Sequence, residues 1–136
     1  MGAWSHEPFG NDTANDWAYR LEDVQDLSLI EAAFDAVNNN EGEYLDASVA
    51  EEAVAAAETL AHLLGRGAQM DSCTEKVQRW AKSVSARPNP ALKNKARQAL
   101  QRVLADGSEL RELWEETEEY PEWQESITTL QVAIGA

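Results

Sequence analysis

Cysteine is nearly missing from this 136-residue chain. Its single copy, Cys73, excludes an internal disulfide and any cysteine-clustered zinc site. Bases are scarce as well: 11 Lys and Arg stand against 25 Asp and Glu, for a formal net charge of −14. Binding phosphates needs cations that release counterions, so a general affinity for DNA, RNA or an anionic membrane is not expected. There is no basic-then-apolar leader and no apolar run approaching about 18 residues, which argues against secretion and membrane spans. The reading is a soluble, cytoplasmic protein. Gly2 does not complete a myristoylation motif, because His6 stands where Ser or Thr is needed. Alternating β-branched runs, phosphate-cradling glycine patterns and serine nucleophile elbows are also absent.

What is present is helix-forming sequence. Hydrophobic residues make up 43% of the chain, enough to fill one core, and the length suits one domain over 1–136. Five tryptophans, Trp4, Trp17, Trp80, Trp114 and Trp123, add bulk to that core. Residues 1–10 read as an extended arm closed by Pro8 and Gly10. A first helix is expected from about Asn11 to Leu21, with Trp17 inward. A second opens at a Ser28–Glu31 capping box, buries Ile30, Ala33, Phe34 and Val37, and ends at Asn38 to Gly42. An alanine-rich helix over 47–64 starts at a Ser48–Glu51 box and carries a stripe from Val49 through Ala53, Ala56 and Leu60 to Leu64. A Ser72–Glu75 box begins the next, with Val77, Trp80 and Val84 inward. Asn89 and Pro90 make a cap-plus-first-position pair for the helix that runs to Leu104. Ser108 and Pro121 start the last two. The expectation is an all-α bundle of six to eight short helices, seven by this reading, packed in antiparallel pairs.

Charge is unevenly placed along that bundle. Residues 1–65 carry 14 acids and one base, residues 66–102 carry nine bases and two acids, and residues 103–136 carry nine acids and one base. Two acidic flanks therefore surround a basic middle. Within the C-terminal flank Glu112, Glu115, Glu116, Glu119 and Glu122 interleave with Tyr120, a mix of carboxylates and aromatics suited to a basic partner. The N-terminal flank offers Glu22, Asp23, Asp26, Glu41, Glu43 and Asp46, mostly at helix ends and loops. The plainer reading of either patch alone is a solvated helix face. The basic middle, with Lys76, Lys95 and Arg102 among its cations, is expected to pack beside the acidic helices and balance them. Trp80 shares a stripe with Val77 and Val84, which marks it as core rather than a base-stacking platform.

The N-terminal string is the most distinctive segment. Met1 to Trp4, Phe9, Asn11, Asp12, Ala14, Asp16 and Trp17 resemble the opening of an uncharacterised bacterial family of unknown function, with Ser5 where that family usually has Gly. The similarity continues through the 47–64 helix and the Ser108 to Trp114 stretch. The resemblance implies a bacterial, single-domain, mostly helical protein and brings no activity or catalytic residue. Asp12 and Asp16 lie four apart, on one helix face, and form the alternative candidate: a small cation or proton-transfer site. Against this, Asn11 or Asp12 can cap the helix while Asp16 favours its positive end.

Other titratable groups weigh less. Glu58 precedes His62 by four residues, but metal-ligand spacings such as His-Glu-x-x-His are missing, which favours a structural histidine. Cys73 at a helix start is open to a lowered thiol pKa, though without a histidine partner. Reading Gly42 as a calcium-loop glycine places Val37 at the first ligand position, where it cannot coordinate. No catalytic residue, metal or cofactor is expected. The sequence points to an acidic protein-binding module, most concretely an immunity or antitoxin-type protein that masks a basic toxin such as a nuclease.

Overall fold

Every segment read as helix becomes one. The computed structural model describes residues 3–40 and 43–135, so Met1, Gly2, Glu41, Gly42 and Ala136 lie outside the described residues. Among the described residues seven α-helices follow one another: α1 (Asp12–Leu21), α2 (Ser28–Asn38), α3 (Ala47–Leu63), α4 (Glu75–Ser83), α5 (Pro90–Leu104), α6 (Glu109–Glu115) and α7 (Tyr120–Gly135). A 3-10 turn at Ser72–Thr74 leads into α4. Backbone bridges outside helices are two isolated pairs among the described residues, Ala3 with Asn11 and Leu45 with Ser108. The protein is all-α. Among the described residues no helix is long and apolar enough to cross a membrane.

The alanine-rich α3 is the hub, in contact with all six other α-helices. Small side chains let neighbours approach from every direction, and Ala50, Ala53, Ala55, Ala56 and Ala57 are completely buried. The expected single stripe is therefore too narrow. Burial runs almost all round from Ala50 to Ala61, while Val49 and Leu64 at the ends are only half-buried. An alanine exposes little apolar contrast, so a helix covered on all sides still looks weakly amphipathic in sequence. Around the hub the predicted stripes hold: Trp17 on α1, Phe34 on α2, Leu100 on α5 and Ile127 on α7 are buried. Trp80 is buried too, and its indole N–H donates to the Val24 carbonyl at 2.9 Å.

Three predicted capping boxes are replaced by carboxylates. Asp26 Oδ1 accepts from the Ser28 backbone N–H at 3.0 Å and from the Ser28 hydroxyl at 2.6 Å, so Ser28 is a donor rather than a cap. The first N–H of α3, at Ala47, is taken by Glu109 Oε1 from α6 at 2.8 Å, not by Ser48. Ahead of α4 the reciprocal box is Asp71 with Thr74, one residue before the predicted pair. At Ser28 and Ser48 the helix begins before the serine can cap it, as Glu31 N bonds Leu27 O and Ala50 N bonds Asp46 O, whereas at Asp71 the ionised acceptor makes the stronger cap. The caps at Asn11, Asn89 and Ser108 form as expected, accepting from Ala14, Leu92 and Arg111.

Residues 3–10 double back instead of running extended. Trp4 N and Ser5 N both donate to the Gly10 carbonyl, at 2.8 and 3.2 Å. Only glycine fits at position 10, where a Cβ would stand 2.8 Å from the Ser5 carbonyl oxygen. Phe9 is completely buried and pins the arm, but Trp4 is 57% exposed and does not share in the core.

Candidate functional site

Folding separates the acidic residues that the sequence groups by order. Leu45 N donates to Gly107 O and Glu109 N to Leu45 O, both at 2.9 Å, stitching the 43–46 segment onto the start of α6. Tyr44 hydroxyl then donates to Glu112 Oε1 at 2.5 Å. That hydrogen bond, with burial and the charges of Glu112, Glu109 and Asp46 behind it, pushes the Tyr44 phenol up to about 12. Glu43 and Asp46, assigned by sequence to the first flank, thus join Glu112, Glu115, Glu116, Glu119 and Glu122 of the second. All seven of these residues are exposed. Tyr120 at the start of α7 is half-buried, stacked on Trp123, with its hydroxyl accepting from Arg111 Nε at 3.1 Å. Tyr120 is a support for this face more than a free contact.

Glu22, Asp23 and Asp26 sit at the α1–α2 corner, in different company. Glu22 shares a hollow with Lys76, Arg79 and Trp80, so its charge faces cations. Asp26 is committed to Ser28, and that bond holds its carboxyl below the ordinary aspartate range. The basic middle balances acids only in part. Lys95 bridges Glu31 and Asp35 of α2 at 2.9 Å each, but Lys76 lies over the Tyr19 ring and Arg102 donates to the carbonyls of Glu43 and Gly107. Asp12 and Asp16 are both exposed on α1, where Asn11 provides the cap. Neither lines any of the cavities described below. Among the described residues no group of three His, Cys, Asp or Glu could hold a metal ion.

The best-formed polar constellation lies beneath the arm. Glu58, in the buried middle of α3, has no exposed surface. Its Oε2 accepts from the backbone N–H of Ala68 at 2.9 Å and of Gln69 at 2.8 Å, and His62 Nε2 lies 2.9 Å away. His62 Nε2 also faces the Gln69 carbonyl at 3.1 Å. A carbonyl can only accept, so Nε2 carries the proton and His62 donates. Gln69 is itself buried and accepts from Phe9 N at 2.8 Å, tying the arm to the same cluster. The structural role read for His62 is thereby given its partners: it clamps the 64–71 loop against α3. Gly67 makes this possible, since a Cβ there would stand 2.2 Å from His62 Nδ1.

All donors converge on Oε2, and Glu58 Oε1 is buried with no hydrogen-bond partner among the described residues. Glu58 also lines a hollow of about 370 Å³ between the arm, the 64–71 loop and α7. Its walls include His6, Glu7, Pro8, Glu122, Glu125 and Leu130, and no Lys or Arg among the described residues. His6 Nδ1 lies 3.1 Å from Glu119 Oε1 at the edge of the acidic face. A second carboxylate, Glu51, is buried one heptad before Glu58 on α3. Burial pushes its pKa up, against a lowering hydrogen bond from Thr13. A larger groove of about 790 Å³ between α5 and α7 is open and glutamine-lined, with Gln131 bonded to Gln101 across it. It presents no group under strain to be satisfied.

Cys73 behaves opposite to the expectation from its helix-start position. Burial, then the charges of Asp71 and Glu7, push its thiol up, so the helix end does not activate it. Gln69 carries no mark in the sequence, and Glu51 reads there as part of a cap. The available signal was two acids seven apart inside an otherwise apolar helix, a spacing that places both on one face.

Fold and surface define an all-α acidic domain built on an alanine-rich hub, with an acidic hollow beneath an N-terminal loop. The chain belongs to the family described as Domain of unknown function (DUF4259), which matches residues 2–126. No curated protein and no solved structure matches it.

Proposed function

We propose that this protein is a bacterial, cytoplasmic binding module, not an enzyme, that masks a basic protein with its α6–α7 face. Its most concrete form is an immunity or antitoxin-type protein that covers the phosphate-binding cleft of a toxin, a nuclease being the clearest case. The observation that carries this reading is the excess of acid over base on the face: Glu112, Glu115, Glu116, Glu119 and Glu122 are exposed, of these Arg111 and His6 reach only Glu115 and Glu119 among the described residues, and the Lys95 ammonium is spent on α2. Complementary charge accelerates encounter, and buried anchors then hold the complex. Arg111 is the local exception, and it is occupied by Asp106, Glu115 and Tyr120.

The test is capture of a basic protein from the source cell at low and at high salt, with the triple variant Glu112→Lys, Glu115→Lys, Glu116→Lys as control. A partner held by the parent chain at low salt, lost at high salt and lost from the variant supports the reading. A chain that retains no basic protein at low salt overturns it.

A further inference from the structure

We propose that the hollow beneath the arm is a socket for one guanidinium or alkylammonium group, an arginine or lysine side chain of the basic partner, with Glu58 as its buried acceptor. The inference deepens the partner-binding reading and rests on it for the source of the side chain. The argument begins with the orphan atom. A completely buried carboxylate whose Oε2 takes all the donors leaves Oε1 unpaired, and such a group is costly to keep unsatisfied. Glu58 stands in the wall of the hollow with no surface open to it, so a donor seated there parts the wall to reach Oε1 and removes that cost when it does.

The walls select a cation over a neutral donor. Glu7, Glu122 and Glu125 join Glu58 around the space, so a neutral amide would leave several carboxylates uncompensated. Pro8 and Leu130 add buried apolar surface along which an aliphatic stem can lie while its charged head reaches the carboxylates. The volume of about 370 Å³ falls within the range of small-ligand sites. The unpaired, buried Oε1 is also what distinguishes this place from the rest of the acidic face, where the carboxylates are exposed to solvent.

The test titrates the full chain, labelled with ¹⁵N, with acetyl-Gly-Arg-Gly-amide and with the citrulline analogue, which has the same shape and no charge. The Ala68 and Gln69 amides, hydrogen-bonded to Glu58, are the reporters. The expected result is saturable shifts of both amides with the arginine peptide and none with citrulline. Glu58→Gln keeps an oxygen for Ala68, Gln69 and His62 but turns the orphan position into a donor, and should weaken binding about tenfold or more. Glu122→Gln with Glu125→Gln, both on the exposed side of α7, should weaken it about threefold and decides the matter if Glu58→Gln does not fold. No saturable shift, equal shifts with citrulline, or undiminished binding in the variant that folds overturns the socket. A partner captured equally well by the Glu58→Gln chain leaves the acidic-face reading standing while the socket falls. Arginine-peptide binding without any captured partner does the reverse.

Discussion

The two acidic corners of the molecule carry similar residues and do opposite things with them. At the α1–α2 corner, Glu22 faces Lys76 and Arg79 across a hollow, and Asp26 spends its charge on Ser28. At the α6–α7 end, Glu115, Glu116, Glu119 and Glu122 face water, and the adjoining hollow is lined by more carboxylates. The first corner uses acid as architecture; the second presents acid as surface. Net charge along a sequence therefore says little about local potential until the fold decides which cations come alongside.

The largest expected effect tests the clamp beside the second corner through Gly67, which packs directly on the His62 ring. Gly67→Ala forces a methyl against a pinned His62 ring and should lower unfolding free energy by about 2 kcal/mol in urea melts, as overpacking typically does. An unchanged midpoint would mean that the loop is not clamped as described. Next comes charge reversal. Glu112→Lys, Glu115→Lys, Glu116→Lys should slow partner association about tenfold or more at low salt, whereas Glu22→Lys, Asp23→Lys should change it less than about twofold. Equal effects would erase the distinction between the corners.

Smaller effects sharpen the same contrast by pH. Asp26→Ala should lower the thermal midpoint at neutral pH, and Glu122→Ala should not. The Asp26 carboxyl is held below its ordinary value in the folded state, so its contribution is present above the unfolded aspartate value and disappears as pH falls through the folded one. Parent and Asp26→Ala melting curves should accordingly converge in strong acid. The smallest effect is spectroscopic: the Tyr44 phenol should titrate near 12 by ultraviolet absorbance, and Glu112→Gln should return it toward 10.0. A parent phenol that titrates at the ordinary value would show that Tyr44 does not hold Glu112.

Much of the fold is legible in the sequence because helical periodicity and asparagine caps are local signals. Leu92, Ala96, Leu100 and Val103 mark the inner face of α5 correctly, and Asn89 with Pro90 marks its start. One failure is non-local: nothing near Ser48 announces that Glu109, some 60 residues later, will take the Ala47 N–H. The others are local shifts of the helix start, to Leu27 ahead of Ser28 and to Asp71 ahead of Ser72. The candidate site was half visible. Glu58 and His62 were paired by their i, i+4 spacing, but the donors at Ala68 and Gln69 that make Glu58 lopsided come from a loop with no regular pattern. Exposure of Glu112 through Glu122 followed from their density, whereas the transfer of Glu43 and Asp46 to that face depended on the Leu45–Ser108 bridge.

The hollow also has a history in the order of synthesis. Three of its walls, the arm, the Glu58 turn of α3 and the 64–71 loop, are complete by residue 69, and the fourth is α7. On a ribosome the wall that α7 supplies is added only after α4, α5 and α6 have emerged. A nascent chain can therefore hold α1 to α6 before it holds the hollow, so any binding through that hollow waits for α7.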